Sequence, residues 1–594
     1  MAAGAQGSAL EERSRRTREA GSGDGLARRS VYDYVVVGAG PNGLGIAAYL
    51  SRWGFSVCVL EARPEIGGGA ENAEPVPGYS IDPHAVFFYG GAAPGVEQLE
   101  LGKYGFRLSP LTENISIRPD GVAMYQRREL FDGSMSPESL LEGLGASPDA
   151  AKFYIEFMTN LGPHKIDFLR SIYWTPPYDH RWGVGKADLP EVKIFKEFVP
   201  IWDDALLEMS LYEWAEEIGL PDPIRCGMMI GSWGNGPHPF FKGMLIPCFG
   251  VSQLMSVTNA SPVGGMHSLA HALVRSALAA GARVYVNAPV SEVIVRDGQA
   301  VGVRVADEGV LEEKTIHANL GVIMGTHVKQ LPGLVGSGAL APEFVQRIED
   351  LSLKGGGLYV ANFLTTETPV FAAAPDAFKD TAEPTVFVLN CDTPSLIDGL
   401  MRDIHTFRTH PTSLDHYAGV WFLNNGVHDR SRVRGGEYHV IGMNLQVPAP
   451  EEHRDGPDAV NRASDEIVAN IKELVRQYAP NMTPDKFVHT FVNTPYDSSF
   501  RNLGFVGGNW MGLRESENEW GPRKPLPELA RYRTPIDGLY LCNQTSHPGG
   551  LCLMAVPYNL MHILHEDYEE VASTTPDWWY PSPWHITDKD AGTR

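Results

Sequence analysis

The chain has 594 residues, 43% of them apolar and 20% charged, enough to bury a core and far from a disordered polymer. At roughly 100–200 residues per domain it has room for several units. The 72 acidic residues against 49 basic ones leave a formal net charge of −23, which repels phosphate backbones and argues against nucleic acid as a partner. The six cysteines (Cys58, Cys226, Cys248, Cys391, Cys542 and Cys552) include no CxxC pair. That argues against a disulfide framework, a zinc knuckle or an iron–sulfur cluster, and the other His, Asp and Glu residues form no convincing metal set.

Residues 1–30 carry almost no large apolar side chain and read as a disordered tail. Arg13, Arg15, Arg16, Arg18, Arg28 and Arg29 hint at a transit peptide, but Glu11, Glu12, Glu19 and Asp24 sit among them, and such peptides are poor in acid. No apolar central region marks a signal peptide. The longest apolar run, Gly243 to Met255, is interrupted by Pro247, Gly250, Ser252 and Gln253, too short to span a bilayer and better read as a buried segment than an interfacial one. The expected location is cytoplasmic, with peripheral membrane contact and oligomerisation left open.

Order begins at Tyr32. Tyr32–Val37 (YDYVVV) reads as a buried parallel strand stopped by glycine. Gly43–Arg52 has apolar residues at helical spacing, and Ser56–Leu60 (SVCVL) is a second strand. Residues 111–255 differ: they are crowded with aromatics, prolines and histidines and lack βαβ rhythm. A helix from Ser268 to Ala280 and strands at Arg283–Val286 and Val290–Val295 follow. A large α/β protein with an inserted second domain is the natural reading.

Gly38-Ala39-Gly40-Pro41-Asn42-Gly43 matches GxGxxG directly after the first strand. The first glycine permits the tight turn, the second lets backbone approach a pyrophosphate, the third allows close helix–strand packing, and the helix N-terminus offers N–H groups. Glu61 ends the second strand 21 residues after Gly40, where a carboxylate can accept from ribose hydroxyls. Beyond it, Glu61-Ala62-Arg63-Pro64-Glu65-Ile66 leads into Gly67-Gly68-Gly69, a cluster that an NAD dehydrogenase does not need but that lets backbone lie against a flavin diphosphate. No second GxGxxG serves a nicotinamide cofactor, so FAD is expected to cycle alone, reoxidised by an external acceptor such as oxygen or a quinone.

Three separated segments resemble the phytoene desaturase-like branch of the FAD-dependent amine oxidase superfamily: Val35 to Asp82, Pro262-Val263-Gly264-Gly265-Met266 with the following AGARVYVNAPVSEVIVRDGQAVGVRV, and Thr494 to Gly550 through TPIDGLYLCNQTSHPGG. The resemblance implies a Rossmann-type FAD-binding domain, a parallel sheet carrying GxGxxG, interleaved with an α+β substrate domain on a mixed or antiparallel sheet. Its FAD-binding parts would be 31–110, 255–335 and 530–575, its substrate parts 111–254 and 336–529, and 576–594 a C-terminal extension. It assigns the adenine contact to the backbone of Val290 and a second flavin motif to 541–554, with Asn543, Gln544, Gly550, Leu553 and Met554. The chain departs from its relatives there: Asn543-Gln544 replaces a small pair, Leu551, Met554 and Pro557 replace glycines, and Ala70 replaces an arginine. These bulkier residues are expected to narrow the pocket over the flavin and favour a compact substrate.

For chemistry, His547 in His-Pro-Gly, His84 after Ile81-Asp82-Pro83, and Tyr496 are candidates to line the flavin, each with a purely structural alternative; Asp497 is as good a turn cap. The aromatic stretch Tyr173–Trp182 with Phe240 and Phe241 can line an apolar tunnel or simply fill a core. The leading expectation is non-covalent FAD and hydride transfer that desaturates, saturates or isomerises a C=C bond in a small apolar, terpenoid or alicyclic molecule. The rivals are a flavin amine oxidase, disfavoured because Gly357–Leu364 holds no lysine, and a flavin-binding scaffold without turnover.

Overall fold

The run of β-branched residues after Ser30 forms β1, Val31–Val37, buried from Tyr32 onward as a strand covered on both faces must be. The computed structural model describes residues 30–110, 113–117, 123–127, 136–233, 236–258, 260–372, 385–389, 420–423, 429–447, 449–453, 455–516, 519–551 and 554–587. After β1 come α1 (Pro41–Trp53) and β2 (Val57–Leu60), then a hairpin of β3 (Glu113–Ile117) and β4 (Ala123–Arg127). A helical stretch follows, including α2 (Pro148–Tyr173) and α3 (Leu245–Thr258). The chain returns through α4 (His267–Ala279), β5 (Arg283–Tyr285), β6 (Val290–Arg296), β7 (Gln299–Val305) and β8 (Thr315–Met324). Then come β9 (Gly357–Thr365), β10 (Thr385–Leu389), β11 (Val420–Leu423), β12 (Tyr438–Val447) and β13 (Phe487–Asn493). The last elements used below are α5 (Pro495–Arg501), β14 (Leu539–Leu541) and α6 (Ala555–Asp567).

Two seven-stranded sheets result. The first runs β6-β7-β8-β1-β2-β5, with β14 beside β8. Strand β1 pairs in parallel with β2 on one side and β8 on the other, so the strand order reverses there and a crevice opens at the carboxyl end of β1. The second sheet runs β13-β9-β12-β11-β10-β3-β4, antiparallel except where β10 meets β3. The fold is therefore α/β with a parallel-rich dinucleotide sheet and a second, mostly antiparallel sheet, interleaved along the chain.

The helical stretch is held by aromatic packing. Phe249 of α3 lies 5.1 Å from Phe157 and 5.8 Å from Phe195, and Phe168 lies 5.2 Å from Phe198. Such pairs are worth about 0.5–1.5 kcal/mol each beyond the area they bury. The apolar run at 243–255 is thus core, with Leu245, Phe249, Val251 and Leu254 all buried. Among the described residues no helix is long and apolar enough to cross a membrane.

A buried ion pair holds the segment after the glycine cluster to the turn before β12. Arg432 Nη2 lies 2.6 Å from Asp82 Oδ2, both side chains fully excluded from solvent. The other carboxylate oxygen, Oδ1, accepts the Met266 N–H at 3.0 Å, and Asn362 of β9 donates to the Asp82 carbonyl at 3.3 Å. One aspartate thereby ties together the chain after the glycine cluster, the Pro262–Met266 turn and the second sheet.

Candidate active site: a dinucleotide loop facing an apolar cleft

Gly38 closes the turn after β1 at φ +97°, a left-handed angle that a side chain strains to adopt. A Cβ on Gly43 would sit 2.1 Å from the Gly38 carbonyl oxygen, so helix α1 leaves the loop as tightly as it does only because that residue is glycine. Gly40 caps the helix with extended backbone and Pro41 occupies the first turn. A Cβ on Gly40 would meet only the Gly68 Cα, at 3.8 Å, while one on Gly68 would press on the Gly40 Cα at 2.9 Å. The two glycine segments lie backbone to backbone, stitched by Gly67 N–H donating to the Ala39 carbonyl at 2.8 Å. The space in front of Gly40 is a cradle that a side chain would fill.

Glu61 is buried, and each carboxylate oxygen already accepts a backbone N–H, from Ala39 at 2.7 Å and from Arg63 at 2.9 Å. It fixes the loop as well as facing the cradle, and a carboxylate has lone pairs left for ribose hydroxyls. Ala62 is exposed, and Val290 opens β6 opposite Val305. At the far motif Asn543 is spent on the turn: its carbonyl accepts the Thr545 N–H at 2.8 Å and its amide donates to the Met324 carbonyl at 3.4 Å. Gln544 donates one N–H to the Gly504 carbonyl.

Beside the loop lies a cleft of about 770 Å³ lined by Pro41, Asn42, Gly69, His84, Phe87, Tyr89, Leu358, Phe505, Trp510, Gln544, Gly550 and Leu551, among others. Of the candidates read from the sequence, the structure brings His84 to it together with both glycine segments, Gln544 and Gly550. His547 and Tyr496 are not among its lining. His547 is buried, its Nε2 donating to the Ile172 carbonyl at 3.0 Å, and it borders a different cavity in the helical stretch. Tyr496 packs on Phe500, ring centroids 4.9 Å apart, while Thr494 and Asp497 form a capping box on α5. Of Leu551, Met554 and Pro557, the residues expected to narrow the pocket, Leu551 alone lines the cleft. A Cβ on Gly45 of α1 would meet Pro557 at 2.8 Å and Met554 at 3.7 Å, so those two side chains pack on α1 rather than over the cleft. Leu553 lies outside the described residues.

His84 carries the electrostatics. Its Nε2 lies 3.1 Å from Glu71 Oε1, and its Nδ1 lies 3.3 Å from both Asn493 Nδ2 and Ser498 Oγ. Burial pushes the imidazole below its ordinary pKa, against the pull of Glu71. Burial pushes Glu71 up, but His84 and Arg63 more than offset it and hold the carboxyl at about 2. Arg501 Nε lies 3.1 Å from the same carboxylate. Phe505 stands edge-on to His84 at 4.8 Å. Glu71, Phe505 and Trp510 escaped the sequence reading; an acid two residues past a glycine cluster was the available signal for Glu71.

A model of an NAD(P)-binding Rossmann-like domain matches residues 36–99. The chain is 26% identical over 91% of its length, and 94% of the relative's, to pyridine nucleotide-disulfide oxidoreductase domain-containing protein 2 of Rattus norvegicus. It is 24% identical over 90% of its length, and 94% of the relative's, to a limonene dehydrogenase subunit of Castellaniella defragrans. A solved putrescine oxidase variant superposes with a TM-score of 0.54 at 15% identity, covering 91% of this chain and 99% of that one. The chain shares its fold with that putrescine oxidase. The relatives it resembles carry oxidoreductase and dehydrogenase names, and the cofactor expected from the sequence is FAD. The residues present fit that cofactor: the cradle before Gly40 and Gly68 would admit a diphosphate, and the N-terminus of α1 would offer it N–H groups.

Proposed function

We propose that this protein oxidises, reduces or isomerises a C=C bond in an uncharged apolar molecule of terpenoid or alicyclic type, in the manner of the phytoene desaturase-like branch. The observation that carries this reading is the cleft lining, which holds aromatic and aliphatic side chains and, among the described residues, no Asp, Glu, Lys or Arg. A charged ammonium would find no counter-ion there, whereas an apolar ring would bury its surface against Phe87, Leu358 and Leu551. The similarity to a limonene dehydrogenase supports the substrate class. Strand β9, GLYVANFLT, has no lysine of the kind that the resemblance attributes to amine oxidases.

FAD, bound in the cradle, supplies hydride acceptance and donation. The chain's part is to hold substrate against apolar walls, exclude water and move one proton. His84 is the lining group suited to that proton: Nδ1, facing the Ser498 hydroxyl, takes it up, and the ionised Glu71 on the other nitrogen steadies the resulting cation. Lacking a second dinucleotide motif, the enzyme passes its electrons to an external acceptor.

Turnover with limonene and an artificial electron acceptor, followed by product analysis, tests the reading. A desaturated or isomerised terpenoid is expected. Turnover of putrescine or cyclohexylamine with no terpenoid product would replace it with the amine oxidase reading.

A further inference from the structure

We propose that a second cavity, in the helical stretch, is a binding site for an uncharged, mainly apolar small molecule carrying at most one oxygen function, and that the C-terminal extension forms its outer wall. The cavity and the open space at its mouth together measure about 1050 Å³. Ile172 at the end of α2, Leu189, Leu207, Leu245 and Trp520 supply apolar surface, and Trp584 and Ile586 of the extension close it.

The extension is held where this role needs it. Trp578 stacks on Tyr49 at 6.2 Å and lies under the Arg52 guanidinium at 5.0 Å, and Trp579 packs on Trp53 at 5.1 Å. Ser582 N–H donates to His562 Nε2 at 2.7 Å, and the Ser582 hydroxyl meets the Thr175 hydroxyl at 2.7 Å. His585 lies 2.7 Å from Glu566. These contacts fix the chain on both sides of Trp584, so its indole is presented to the cavity by a rigid strap rather than a loose tail.

Three charged side chains border the space: Lys186, Glu191 and Arg523. Lys186 is taken up by Glu208 at 3.0 Å. Burial pushes the Glu191 carboxyl up to about 7, so near neutral pH it is in good part protonated and offers an O–H to a single ligand oxygen. The site is distinct from the flavin cleft: His547 borders this cavity, whereas Gly550 and Leu551, a few residues on, border the cleft. The two linings share no residue.

The test uses the FAD-loaded protein and N-phenyl-1-naphthylamine, an uncharged apolar fluorophore. Saturable binding is expected, one probe per chain of it in this cavity. Leu207→Trp, which fills the cavity, and Ile586→Glu, which puts a charge in its wall, should each weaken it about tenfold or more while flavin absorbance and thermal midpoint stay at wild-type values. Leu551→Trp, in the cleft, should leave it unchanged. Should Leu207→Trp not fold, Ile586→Glu decides alone. Absence of saturable binding, binding indifferent to the wall variants, or loss on Leu551→Trp would overturn the proposal.

Discussion

His84, which lines the cleft, lies 3.1 Å from Glu71 behind it, and both side chains are buried. Glu71 answers to Arg63 and Arg501 as well, so a single carboxylate connects the imidazole that faces the cleft with two arginines nearer the surface. The arrangement keeps one group of the cleft able to exchange a proton while its counter-charge stays fixed.

That pairing sets a pH dependence. The Glu71 carboxyl is depressed from 4.5 to about 2 in the folded chain, so its contribution is fully present above about pH 4.5 and is lost as pH falls through about 2. Glu71→Gln should lower stability by up to about 3 kcal/mol at pH 7 and flatten the acid limb of the stability curve. Chemical denaturation across pH 7 to 3 measures both. An unchanged acid limb would show that the carboxylate is not held by its partners.

Gly40→Val should remove FAD while leaving the fold intact. The backbone at Gly40 is extended, so a side chain strains nothing, and a Cβ meets only Gly68 Cα at 3.8 Å; the added methyl groups go into the cradle. Flavin absorbance of the purified variant, set beside its circular dichroism, is the check. Full occupancy would place the diphosphate elsewhere.

Removing one partner of the Asp82–Arg432 pair should be costly, because it leaves a charge buried without compensation. Arg432→Met should cost about 3–5 kcal/mol, and the double variant with Asp82→Asn should cost less than the two single losses combined. Equilibrium unfolding of the three variants supplies the cycle. Additive losses would mean that the two charges are not coupled.

The flavin should be released by heat. Of the two cysteines in the second flavin motif, Cys552 lies outside the described residues, while Cys542 is buried, burial pushes it well above its ordinary pKa, and its Sγ donates to the Asn42 carbonyl at 3.5 Å. A thiol kept protonated is a poor nucleophile for attachment. Heating the holoprotein and separating the precipitate should leave the yellow colour in the supernatant; colour in the pellet would contradict this.

Much of the dinucleotide half was legible in the sequence because its rules are local. A strand, a glycine turn and a helix within 25 residues announce themselves by period and by backbone freedom, and Glu61 follows at a fixed distance. The rest depended on directions that no local pattern carries. Met554 stands in the left-handed region at φ +57°, and that angle, together with the glycine it meets on α1, turns its side chain away from the cleft. His547 is spent on the Ile172 carbonyl, 375 residues away in the chain, a partner that spacing cannot suggest. The order of the second sheet is equally non-local, since β3 pairs with β10 across more than 250 residues. The docking of Trp578 and Trp579 on α1 likewise emerged only from the fold.

The central claim is that an uncharged apolar molecule, not an amine, meets the flavin in this cleft. Anaerobic mixing of the FAD-loaded protein with an alicyclic terpenoid, followed by flavin absorbance, tests it most directly. The predicted result is bleaching by the terpenoid that slows markedly in His84→Asn, with no bleaching by putrescine or cyclohexylamine. Rapid bleaching by either amine, with the terpenoid inert, would contradict it.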